Sequence, residues 1–163
     1  MKKNKFKKVA QEAILSEIKS LNKLKSSIDN NFHKVVEAII NCKKGKIILS
    51  GVGKSGIIAK KISSTLSSVG TPSFFVDASS CSHGDLGQIS SNDVLILISN
   101  SGESSELKNI IQYANRNKNI ILIGIVSKKN SLLYKNSDIK ILMPEVKEAD
   151  QEILYQHHQL LCN

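Results

Sequence analysis

Three short stretches of the chain gather side chains able to do chemistry. In "GVGKSG", Gly51 and Gly53 let a ligand approach the backbone, Lys54 supplies a cation, and Ser55 opens a helix whose N-terminal amides favour an anion. In "SNSGESSE", the hydroxyls of Ser99, Ser101, Ser104 and Ser105 surround Gly102 just beyond the aliphatic run "DVLILI". Neutral donors at the start of a helix suit a phosphate monoester, which they bind without a salt bridge. In "CSHGDLGQI", His83 stands in a glycine-flanked loop, where an imidazole can act as acid or base near neutral pH.

Each stretch also has a plainer reading. The first is equally a tight strand-to-helix turn with a solvated Lys54. The second is a serine-rich cap with Glu103 and Glu106 complementing the helix dipole, although one cap needs one hydroxyl and several are present. Asp85 is explained by turn chemistry alone. A nucleotide-hydrolase P-loop fails on spacing, because the position five before Gly53 is Ile48, inside a strand. The dinucleotide fingerprint, whose acidic partner could only be Asp77, is set aside as well.

These loops need a scaffold, and the apolar pattern supplies one. Val9, Ile14, Ile18, Leu21, Leu24 and Ile28 fall at helical spacing from Phe6 onward, and Asp29 or Asn30 caps a second helix through Ile40. After Gly45 short aliphatic strands alternate with helices: "KIILS", a helix over 57–69, "TPSFFV", "DVLILIS", a helix over about 104–115, "NIILIGIV", a short helix near Leu132, then "DIKILM". Strands aliphatic on both faces imply an α/β fold, a parallel sheet covered on both sides, with ligands at the carboxyl ends of the strands.

The 163 residues suffice for one domain with a proper core. No apolar run approaches the roughly 20 residues that cross a bilayer, and the N-terminus lacks a signal-peptide core, so a cytoplasmic protein without membrane partner is expected. The net charge of +9 is nearly all lysine, with Arg116 the only arginine, spread among Asn and Ile. That composition argues against a nucleic-acid-reading patch. Cys42, Cys81 and Cys162 have no metal-ligand spacing and read as reduced thiols.

Taken together, "SGVGKSG", "GTPSFFV", "SHGDLGQI" and "ISNSGESSE" resemble the sugar isomerase (SIS) domain, in particular the arabinose 5-phosphate isomerases. The resemblance implies a five-stranded parallel sheet sandwiched by helices, flavodoxin-like, with two N-terminal helices. It divides the chain into a helical pair over residues 1–44, a sugar-phosphate-binding core over 45–149 and an aberrant tail over 150–163. It implies an aldose–ketose isomerase that interconverts arabinose 5-phosphate and ribulose 5-phosphate through an enediol, feeding 3-deoxy-D-manno-octulosonate and lipopolysaccharide synthesis. No cofactor and no metal is implied, and the family is commonly tetrameric, so a homo-oligomer is expected. Carried over residue by residue, the catalytic positions are Lys54, His83, Glu106 and Glu148. The substrate-binding positions are Gly53, Ser55, Gly70, Thr71, Ser99, Asn100, Ser101 and Ser104.

The family pattern breaks after "VKEAD", where relatives continue with a "PTSSTT"-like loop, a further helix and a "SHPGG" motif, most then carrying two CBS modules. With AT-rich codons the segment "DQEILYQHHQLLCN", read two bases on, gives "SRNIIPTSSIIMQ", close to that loop. The expectation is therefore a reading-frame shift near Asp150, with His157 and His158 its products rather than metal ligands. Under that expectation the alternative function is a non-catalytic sugar-phosphate-binding module.

Overall fold

The computed structural model describes residues 2–146, and the side chains from Phe6 onward. The chain divides into two compact units, one spanning Asp29–Met143 and a second that includes the first helix. That helix, α1 (Lys2–Ser27), carries Val9, Ile14, Ile18, Leu21 and Leu24 as expected at helical spacing and ends one residue before Ile28, with Lys8 and Glu12 paired one turn apart at 3.7 Å.

The larger unit begins with α2 (Asn30–Asn41), whose cap is Asp29: its carboxylate accepts from the Asn31 amide at 2.8 Å. There follow β1 (Ile47–Gly51), α3 (Lys54–Ser68), β2 (Ser73–Asp77), two 3₁₀ turns (Ser80–His83 and Asp85–Gln88), β3 (Val94–Ile98), α4 (Leu107–Arg116), β4 (Ile121–Val126), α5 (Leu132–Asn136) and β5 (Ile139–Leu142). All five strands are parallel, in the order β2-β1-β3-β4-β5.

Alternation along the strands separates two apolar layers, as the two-residue period requires. Ile48, Leu95, Leu97 and Leu122 pack with Leu107, Ile110 and Ala114 of α4 and Leu133 of α5. Ile47, Leu49, Val94, Ile96 and Ile123 face the other way, toward Ala59 and Ile62 of α3 and Val35, Ala38 and Ile39 of α2. The aliphatic strands are thus covered on both faces, the reason they read as unbroken apolar runs.

At the amino end of the sheet, the Asp93 carboxylate is 1% exposed and accepts from the Ser90 amide at 2.7 Å, the Lys46 amide at 3.0 Å and Lys46 Nζ at 2.9 Å. This staple fixes the entries to β1 and β3 together. A cavity of about 420 Å³ at this same end is lined by Asn41, Cys42, Lys43, Lys44, Asn92 and Asn119, among others. It lies across the sheet from the glycine and serine loops.

Candidate functional site

The chain leaves β1 for β2 on one side and returns to β3 on the other, so the strand order reverses between β1 and β3. A crevice opens at the carboxyl ends of two such strands, because the loops leaving them diverge to opposite faces. "GVGKSG" leaves β1 and "SNSGESSE" leaves β3, so the topology brings both loops to this one crevice.

The first loop is tighter than its sequence alone predicts, since α3 starts at Lys54 rather than near Ile57. Gly53 precedes the helix with φ +57°, and Lys54 and Ser55 occupy its first turn, where backbone amides have no intrahelical partner. Lys54 is exposed and Ser55 half-buried. The early start depends on Gly51 and Gly56: a Cβ on Gly56 would lie 2.8 Å from Gly51 O, and one on Gly51 would lie 2.9 Å from Ile98 O. Backbone therefore meets backbone where β1, β3 and α3 converge.

The second loop starts its helix later than predicted, at Leu107 instead of about Ser104. The reason is that its serines build local turns that compete with helix. Ser99 is buried and its Oγ accepts from the Gly102 amide at 3.0 Å, while Ser101 Oγ accepts from the Glu103 amide at 3.2 Å. Ser99 and Ser104 share a hydrogen bond at 3.2 Å. Gly102 takes φ +66° at the apex. Asn100 is exposed, and its carbonyl accepts from the Ser127 amide at 3.1 Å, which ties the loop to the end of β4. Glu103 does not sit free as a dipole-complementing residue of α4: its carboxylate accepts from the Leu132 amide at 2.8 Å, at the start of α5.

Glu106 occupies the position before α4, is half-buried and makes no cap bond to its own helix. Its carboxylate accepts from Ser105 Oγ at 3.0 Å. His83 ends the first 3₁₀ turn, exposed, immediately before Gly84. The Asp77 carboxylate at the end of β2 accepts from the Ser79 amide at 2.8 Å and so starts the same connection as a turn former. Cys81, two residues before His83, is buried, and burial, then the Asp85 and Asp77 carboxylates, push its thiol up to about 11. That thiol is a packed apolar group, not a nucleophile.

Not every residue named from the sequence joins this set. Gly70 and Thr71 lie in the turn from α3 into β2, at the amino end of the sheet, separated from the crevice by the length of the strands. Glu148 and the tail from Asp150 onward, with His157, His158 and Cys162, fall outside the described residues. One residue escaped the sequence reading: among the described residues, Ser50 carries the buried side-chain oxygen without a hydrogen-bond partner, on β1 just before the glycine loop. Within an aliphatic strand nothing but its polarity marks it. Among the described residues no three His, Cys, Asp or Glu side chains cluster as a metal site, and no helix is long and apolar enough to cross a membrane.

Comparison with known proteins agrees with this geometry. Over 142 residues the chain is 45% identical to the arabinose 5-phosphate isomerase KdsD of Francisella tularensis, covering 86% of this chain and 43% of that protein. It is 39% identical to the KdsD of Escherichia coli K12 over 144 residues, and 43% identical to the uncharacterized protein RP505 of Rickettsia prowazekii over 146. The chain thus spans a little under half the length of these curated relatives. An E. coli CFT073 protein solved in complex with arabinose 5-phosphate superposes with a TM-score of 0.86 at 35% identity, covering 93% of this chain and 80% of that one. The SIS domain profile matches residues 39–158, most of the sequence, and the parallel sheet with its paired crevice loops is the fold of those relatives: this chain belongs to the SIS domain family.

Proposed function

We propose that this chain carries the isomerase site of an arabinose 5-phosphate isomerase, interconverting arabinose 5-phosphate and ribulose 5-phosphate in the cytoplasm and supplying 3-deoxy-D-manno-octulosonate synthesis. The observation that carries this reading is the convergence of "GVGKSG" and "SNSGESSE" at the single strand-order reversal, in a chain 39–45% identical to KdsD proteins. The substrate phosphate sits on the serine loop, held by Ser99, Asn100, Ser101 and Ser104, with Gly53 and Ser55 opposite. Local turns that already fix the loop spare the ligand much of the ordering cost.

Aldose–ketose interconversion removes a proton beside the carbonyl, passes through an enediol and returns the proton to the neighbouring carbon. Glu106 is the base, supported by a carboxylate that no helix cap consumes. Lys54 stabilises the developing oxyanion from the first turn of α3, where the helix dipole adds the same sign. His83 shuttles protons between the two oxygens, and Glu148 is carried by resemblance alone. Gly70 and Thr71 are left out of the proposed site on position.

We also infer a homo-oligomer. Phe32, Val36 and Ile40 form a four-residue-spaced exposed stripe on α2, and Ile57 and Ile58 are exposed on α3, more apolar surface than an isolated helical layer needs. The test of function is conversion of arabinose 5-phosphate to ribulose 5-phosphate by the purified chain, with ligand-induced thermal stabilisation followed in parallel. Turnover supports the isomerase; stabilisation without turnover replaces it with sugar-phosphate binding alone.

A further inference from the structure

Helix α4 does more than carry Glu106 at its start. Asn109 and Tyr113 stand three and seven residues further on, the spacing that keeps all three on one helical face. Both reach the same neighbouring segment, the one containing His83. Asn109 Nδ2 donates to Ser82 Oγ at 3.2 Å, and Tyr113 Oη donates to the Ile89 carbonyl at 2.9 Å. One face of one helix therefore holds both ends of residues 82–89.

The two attachments differ in kind. At the Ile89 end, Tyr113 is half-buried and Ile89 is 2% exposed, inside the apolar layer. At the His83 end, Asn109, Ser82, His83 and Gly84 are all exposed, and Gly84 follows with φ +117°. Buried Cys81 anchors the start of this turn in the apolar layer, and the Asn109–Ser82 contact ties the residue next to His83 to α4.

We propose that Asn109 and Ser82 are positioning residues that hold His83 in fixed relation to Glu106, Asn109 being one turn along the helix from that carboxylate. This rests on the isomerase reading for its purpose and on the hydrogen bond alone for its existence. Because the contact is exposed, its loss leaves the fold intact while releasing the His83 turn.

The test compares N109A, S82A, the double variant N109A/S82A and the conservative S82T in the full chain. Amide hydrogen exchange over residues 80–84 is read by mass spectrometry, and kcat and KM are measured with arabinose 5-phosphate. A net hydrogen bond corresponds to about a fivefold effect, so N109A is expected to raise exchange and lower kcat by about that factor with KM little changed. The double variant should be no worse than either single one, and S82T should retain wild-type behaviour. Unchanged exchange in N109A overturns the latch, as does unchanged kcat in a chain that turns over, or additive losses in the double variant. A wild-type chain without turnover, together with raised exchange in N109A, supports the latch and overturns the isomerase reading instead.

Discussion

Replacing Gly102 by alanine is the sharpest test of how the serine loop is held. Gly102 has φ +66°, and placing an ordinary residue in that left-handed region costs about 1–2 kcal/mol. The new methyl would also lie 2.6 Å from Ser131 Cβ and 3.2 Å from Val126 Cγ1, and nearer still to Ser131 Oγ. Ser131 has little room to yield, being 2% exposed, with its hydroxyl donating to the Lys128 carbonyl at 2.7 Å and capping α5 by accepting from the Tyr134 amide at 3.3 Å. Overpacking of this kind adds about 1–3 kcal/mol, and a disturbed cap adds about 1 more. We therefore expect G102A to lose about 3–6 kcal/mol of unfolding free energy, a large share of the stability of a domain this size. Urea unfolding followed by circular dichroism measures it. The double variant G102A/S131G removes the obstructing atoms and keeps a glycine at the cap, leaving mainly the backbone strain. It should recover about 2 kcal/mol relative to the sum of the single changes. A G102A protein within about 1 kcal/mol of wild type, or strict additivity in the double variant, would refute the reasoning that the loop is braced against the start of α5.

Glu106→Gln should abolish isomerisation while leaving thermal stabilisation by arabinose 5-phosphate largely intact; turnover equal to wild type removes Glu106 as the base. Asp93→Ala strips three hydrogen bonds from the buried staple at the amino end of the sheet and should cost about 2–4 kcal/mol in urea unfolding; a loss below about 0.5 kcal/mol would show that the staple contributes nothing net. For Cys81 the sign is fixed by a thiol pushed up from 9.0 to about 11: its contribution to stability is complete below pH 9 and is lost as the pH rises toward 11. Cys81→Ala should therefore show less loss of stability than wild type across that window, and peptide mapping after iodoacetamide at neutral pH should find half-buried Cys42 labelled well before buried Cys81. Ile40→Glu, on the exposed stripe of α2, should lower the mass seen by light scattering if the chain associates through that face.

Element order, the doubly covered parallel sheet and the loops that matter are all legible in the order of residues. Strands apolar on both faces can rest only between helices, and glycine and serine clusters interrupt them where connections must turn. Asp29 as a cap is equally readable, since a short side-chain oxygen before an apolar-periodic run has one good use. Helix starts are not readable to the residue. Lys54 joins α3 because Gly51 and Gly56 allow backbone contact across β1, β3 and α3, and Ser104 stays outside α4 because Ser99 and Ser101 spend their hydroxyls on local turns.

Which candidates share a site emerges only once the chain is folded. Gly70 and Thr71 adjoin a strand in sequence, but they lead into β2 rather than out of it, and in a parallel sheet entry and exit lie at opposite ends. Glu103, close in sequence to Glu106, is bound to the start of α5, whereas Glu106 makes no such tie, a division that depends on where β4 delivers Leu132. The tie between Asn109 and Ser82 joins residues 27 apart along the chain, a pairing no local pattern encodes because it exists only when α4 packs across the turn leaving β2.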